Sequence, residues 1–171
     1  MSHREAEYRK YEKMGPDGLR PMNNKEIVEE AICTVKSGKR RGIRGKDDLE
    51  QYFNTGRRDE SLGRDGLVDL QCGIEMLLKG IIQYYGEAYK QEHYTYINGE
   101  ILEGLSRQFP ELRDLYDAFA ILQDDDFSFT MYKCSKFPKY QSYKTHKQFR
   151  SLMYKLLDLF INYANTYILI D

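Results

Sequence analysis

One segment constrains this chain more than any other. Leu67, Leu70, Ile74, Leu77, Ile81 and Tyr85 follow one another at spacings of three or four residues, which lays all of them along one side of an α-helix. Leu78 and Ile82 widen the stripe. So wide an apolar face suits a helix that touches several neighbours, and the segment from Asp65 onward is expected to be the central helix of a bundle. Gly73 and Gly80 stand inside it, each costing about 1 kcal/mol of helix stability relative to Ala. Their presence predicts the close approach of another helix.

The rest of the chain supplies candidate neighbours. Asn23-Asn24 offers an N-cap, and Glu26 to Lys36 carries Ile27, Ala31 and Val35 four apart, the pattern of a short amphipathic helix. Ser37 to Lys46, with three glycines and five bases, reads as a loop. Asp47 to Phe53 follows as a helical turn or short helix, then a polar break from Thr55 to Glu60. Gly99 to Gln108 is amphipathic through Ile101, Leu102 and Leu105. Pro110 opens another helix with Leu112, Leu115, Tyr116, Phe119 and Leu122 on one face. Asp124-Asp125-Asp126 reads as a solvated turn, and residues 127–143, broken by Pro138, as a loop or interrupted helix. Lys144 to Ile170 is expected to be a long final helix carrying Phe149, Leu152, Leu156, Leu159 or Phe160, Tyr163 and Tyr167. Strand-like alternation occurs only at Tyr94 to Ile97. The expectation is an all-α bundle of about five or six helices over 24–171, behind an irregular arm at 1–23 marked by Gly15-Pro16-Asp17-Gly18 and Pro21.

Charge and composition exclude several classes of function. A net charge of −1 gives no global field to recruit nucleic acid or an anionic surface, so such contacts require a local patch. No apolar run approaches the ~20 residues of a membrane span; the last apolar stretch is interrupted by Asp158, Asn162 and Asn165. The charged start, Met1 to Glu5, has no apolar region of a signal peptide. Cys33, Cys72 and Cys134 are odd in number and widely spaced, as expected of reduced thiols. A cytoplasmic, membrane-free protein is the expectation. No Cys/His metal spacing, glycine-rich phosphate loop or hydrolase motif is present, and neither a metal nor a cofactor is expected.

The central helix carries a further signal. Asp69-Leu70-Gln71-Cys72-Gly73-Ile74-Glu75-Met76-Leu77-Leu78-Lys79-Gly80-Ile81-Ile82, followed at a distance by Ser135-Lys136-Phe137-Pro138, resembles the HEPN superfamily in the order and spacing of its elements over residues 63–168. The resemblance places Glu75 and Lys79 at the family's paired acid and base, and Phe137-Pro138 at its Arg-Tyr-Pro-like element. It implies a helical bundle, a homodimer, and a setting in toxin–antitoxin or defence systems. On physics alone, Glu75 and Lys79 are an i,i+4 pair worth a few tenths of a kcal/mol; a surface or interface pair is expected ahead of the alternative, a buried pair at a site.

Catalytic HEPN proteins cleave RNA with an Arg followed, after four to six residues, by His. The His exchanges protons at the reacting oxygens and the Arg steadies the phosphate. His3 has no residue far enough upstream, His93 is preceded at those positions by Ala88, Glu87 and Gly86, and His146 by Gln141, Tyr140 and Lys139. No Arg completes the motif, and Lys does not reproduce the guanidinium fork. A non-catalytic or non-canonical module is therefore expected, with His146 and His93 as the candidates if ribonuclease activity exists.

One compositional feature stands out. From Phe127 to Arg150 there is no acid, while Lys133, Lys136, Lys139, Lys144, Lys147 and Arg150 alternate with Tyr132, Phe137, Tyr140, Tyr143 and Phe149. Bases for phosphates and aromatics for stacking suit single-stranded nucleic acid; the same bases could instead balance the acidic 111–126 segment. Lys36 to Lys46, with Lys39, Arg40, Arg41 and Arg44, is a second basic stretch. If folding brings the two together, a nucleic-acid or nucleotide site is favoured over a pure protein–protein interaction surface.

Overall fold

The computed structural model describes residues 24–56, 58–86, 95–122 and 143–170, with side chains from Gly99 to Ala120 in the third stretch and from Arg150 in the last. Five α-helices follow in order: α1 (Asn24–Asn54), α2 (Glu60–Tyr84), α3 (Thr95–Gln108), α4 (Arg113–Leu122) and α5 (Tyr143–Tyr167), with a 3-10 turn at Pro110–Leu112 leading into α4. The fold is an all-α bundle, as the periodicity predicts. No described helix is long and apolar enough to cross a membrane. The arm at 1–23, Asp124-Asp125-Asp126 and the segment to Gln141 lie outside the described residues.

α2 is central, touching α1, α3 and α5, and α4 packs between α3 and α5. Asp59 caps its start, accepting a hydrogen bond from the Leu62 amide at 3.1 Å, so the helix begins at Glu60, a turn earlier than its apolar stripe suggests. Leu70, Ile74, Leu77, Leu78, Ile81 and Ile82 are fully buried and meet Phe119 of α4 and Phe160 of α5 in one core. α1 and α2 end at Gly56 and Gly86, both at positive φ, the left-handed conformation that glycine closes helices with at little cost.

The sequence-based loop at Ser37–Lys46 is the middle of a 31-residue helix. The short helices expected on either side of it are the two ends of α1. The reason is tertiary. Gly38, Gly42 and Gly45 are buried in α1; Gly38 lies against Gly73 and Gly45 against Gly66 of α2, while a Cβ on Gly42 would point at Leu157 of α5. A Cβ on Gly38 would stand 2.9 Å from the Gly73 carbonyl oxygen and the Leu77 amide, and one on Gly66 would stand 2.8 Å from the Leu49 amide. The two backbones are therefore in direct contact, running antiparallel as a five-residue link requires. Dispersion and burial gained by that approach offset the ~1 kcal/mol propensity cost of each glycine. Gly73 and Gly80 thus serve the close packing expected of them, against Gly42 and Val35 respectively. The strand-like Tyr94–Ile97 is also corrected, since α3 begins at Thr95, and α5 stops at Tyr167 rather than Ile170.

Candidate nucleic-acid interface

Because glycines occupy the face of α1 that meets α2, its long side chains are left to the other faces. From Ala31 to Lys46 those include six bases and no acid. Lys36, Arg40 and Arg44 are exposed and four residues apart, forming a row along the outer face with a step of about 6 Å at 1.5 Å per residue. Ile43, 40% exposed, sits within the row. Lys36 and Arg40 have no ion-pair partner among the described residues. Arg41 and Arg44 both reach Asp69 of α2, at 3.0 and 3.4 Å.

The bases on the flank facing α5 are engaged differently. Lys39 Nζ donates to Asn165 Oδ1 at 2.9 Å. Lys46 lies 3.9 Å from Asp158 and 4.9 Å from the centre of the Tyr154 ring. At the far end of this seam the Arg150 guanidinium lies 4.1 Å over the Phe53 ring and 3.6 Å from Glu50, which also accepts a 2.6 Å hydrogen bond from the Tyr154 hydroxyl. Burial pushes the Tyr154 phenol well above its ordinary value, and the adjacent Glu50 carboxylate adds to the shift. Arg150 thus joins α5 to α1, with both its charge and its planar face in use.

The sequence-based candidates separate accordingly. Lys39, Arg40, Arg41 and Arg44 share one helix; Lys46 and Arg150 meet around Glu50 and Tyr154. Of the second basic stretch, only the Arg150 side chain is among those described. Lys39 stands opposite Asn165 and Glu50 opposite Arg150, about 16 Å apart along α1 for eleven residues. Tyr143, Lys144, His146 and Lys147 belong to the first turns of α5, their side chains outside the described residues. His93, Lys133, Lys136, Lys139 and Tyr140 lie outside the described residues altogether. Asp69, Glu50, Phe53 and Tyr154, which decide which bases are compensated, were not singled out by sequence, because nothing in the local pattern pairs residues this far apart.

Glu75 and Lys79 form a 2.9 Å ion pair whose side chains are 4% and 12% exposed. The pair is therefore the buried alternative rather than the favoured surface or interface pair. Gln71 and Gln83 are buried too, so Gln71, Glu75, Lys79 and Gln83 make a buried polar line four residues apart on α2. The spacing is visible in the sequence, which leaves the burial of Glu75 and Lys79 open and gives no sign of that of Gln71 and Gln83. At the end of the same helix, the hydroxyls of Tyr85 and Tyr163 hydrogen-bond each other, and Tyr85 Oη donates to Glu111 Oε1 at 3.4 Å. Burial raises both phenols above their ordinary value; the mutual hydrogen bond raises Tyr163 further and opposes the shift at Tyr85.

No family model matches the chain, and neither does any curated protein or solved structure.

Proposed function

We propose that the chain is a HEPN-like helical module that binds single-stranded nucleic acid along the outer face of α1, without acting as a ribonuclease. The observation that carries the binding reading is the row Lys36, Arg40 and Arg44 inside sixteen acid-free residues of helix. In a chain of net charge −1, six bases gathered in that stretch are a local departure, and a linear array of cations matches a linear array of phosphates. The seam between α1 and α5 is the weaker candidate, because Asp158 and Glu50 already pair with two of its described bases, Lys46 and Arg150. Resemblance in the 69–82 run supports the family reading, and with it a homodimer and a place in a toxin–antitoxin or defence system. The same resemblance argues against cleavage, since no Arg precedes a His at the motif spacing.

Fluorescence anisotropy with a labelled oligouridylate tests this. Three to five neutralised phosphates on a single strand predict that log K falls against log salt concentration with a slope of about −2 to −3.5. K36A/R40A should weaken binding and flatten that slope by about 1.4, for two lost contacts. Binding that is indifferent to salt, or unaffected by the double substitution, refutes the proposed face. Incubation with RNA should give no cleavage; products that disappear in H146A would establish the ribonuclease alternative instead.

A further inference from the structure

Arg41 and Arg44 converge on a single anion. Arg41 Nε lies 3.0 Å from Oδ1 of Asp69, and Arg44 Nε lies 3.4 Å from its Oδ2. Two guanidinium groups therefore share one carboxylate through both of its oxygens. The carboxylate is 17% exposed, whereas the arginine side chains are 41% and 64% exposed. The anion thus lies in the crease between α1 and α2, with the cations on its open rim. Glycine contact at Gly38, Gly42, Gly45 and Gly66 makes the crease shallow enough for side chains of one helix to reach the other.

A guanidinium presents a planar fork of N–H donors that fits phosphate oxygens as well as carboxylate oxygens. The position held by the Asp69 carboxylate is consequently one that a phosphodiester can fill, flanked by Arg40 and, a turn further, Lys36. The arginine ends of these pairs are open to solvent, and the hydrogen bonds that a phosphate would accept from them are charge-assisted as those to the carboxylate are, so one anion can replace the other.

We propose that Arg41 and Arg44 clamp one backbone phosphate of the single-stranded nucleic acid, and that Asp69 occupies this clamp as an internal competitor in the free protein. The proposal rests on the nucleic-acid reading above and adds a positioning and restraining role for Asp69. In the free state it holds two arginines aimed at one point and lowers the affinity of the row for phosphate. On binding it is displaced and left without its partners. It then takes up a cation from solution, which offsets the release of one counterion.

Asp69→Asn removes the charge and keeps the shape. Anisotropy with labelled oligouridylate should then show binding about fivefold tighter, the worth of one nearby charge in water, with a salt slope steeper by about 0.7. D69N/R41A/R44A should lose that gain. Equal affinity and slope in wild type and D69N overturn the clamp while leaving the outer row intact, provided that wild-type binding still depends on salt and on Lys36 and Arg40. No binding by either protein overturns both. Should D69N unfold, the Arg41 and Arg44 Nε–H resonances of the wild type decide: they shift on titration with oligouridylate if the clamp engages phosphate, and their standing still refutes it.

Discussion

A methyl group at Gly38 would meet the backbone of α2, 2.9 Å from an oxygen and an amide nitrogen that cannot turn aside. At Gly42 the same methyl would meet Leu157 Cδ1 at 2.5 Å, the far end of a side chain that has other rotamers. Both sites would gain about 1 kcal/mol of helix propensity from Ala. G38A should therefore destabilise by about 1–3 kcal/mol, as overpacking does, and G42A should be close to neutral; urea unfolding of the two variants checks the contrast. Tyr154 and Tyr163 allow a test by pH. Their phenols titrate well above the ordinary 10.0 in the folded protein, so the folded state keeps protons that the unfolded chain releases. The corresponding stability is fully present below pH 10.0 and is lost as the pH rises towards the folded-state values. Y154F and Y163F should each make thermal stability fall less steeply in alkali, and an unaltered profile would refute the shift.

Among elements, α1 shows how tertiary contact overrides local preference. Three glycines and a run of bases between Ser37 and Lys46 are ordinary marks of a loop. They form helix because α2 presents glycines that let the backbones meet, and because the bases lie off that contact, with Lys36, Arg40 and Arg44 exposed. α2 in turn bears the buried pair Glu75–Lys79, where desolvation matters more than on a surface. E75A leaves Lys79 without this counter-charge and should cost about 3–5 kcal/mol. E75L/K79M, which removes both charges, should recover most of it. If E75A proves neutral in chemical denaturation, the pair contributes nothing to the fold.

Across the whole molecule, charge is distributed by element. The outer face of α1 is basic, while in the α1–α5 seam Lys46 and Arg150 are paired with Asp158 and Glu50, and Lys39 is hydrogen-bonded to the neutral Asn165. The proposed homodimer must leave the outer face of α1 open if that face binds nucleic acid. Light scattering should therefore show the same dimer for wild type and K36A/R40A. A monomer independent of concentration would remove the dimer from the proposal without touching the binding row.

The sequence by itself determined the helical class, because a period of 3.6 in buried residues survives any arrangement of neighbours. It also placed α2 at the centre, since only a helix with several partners needs so wide a stripe, and it marked Gly73 and Gly80 as points of close approach. It did not determine α1, whose glycines have opposite meanings in a loop and in a backbone contact. Nor did it sort the bases. Arg40 and Arg150 look alike in sequence, yet Arg150 is held by Glu50 and Phe53, 100 and 97 residues away. Tertiary structure alone decides which charges are compensated, because Coulomb energy depends on distance in space. Among the described residues it leaves Lys36 and Arg40 with neither an ion pair nor a hydrogen-bond partner, beside two arginines that Asp69 holds together.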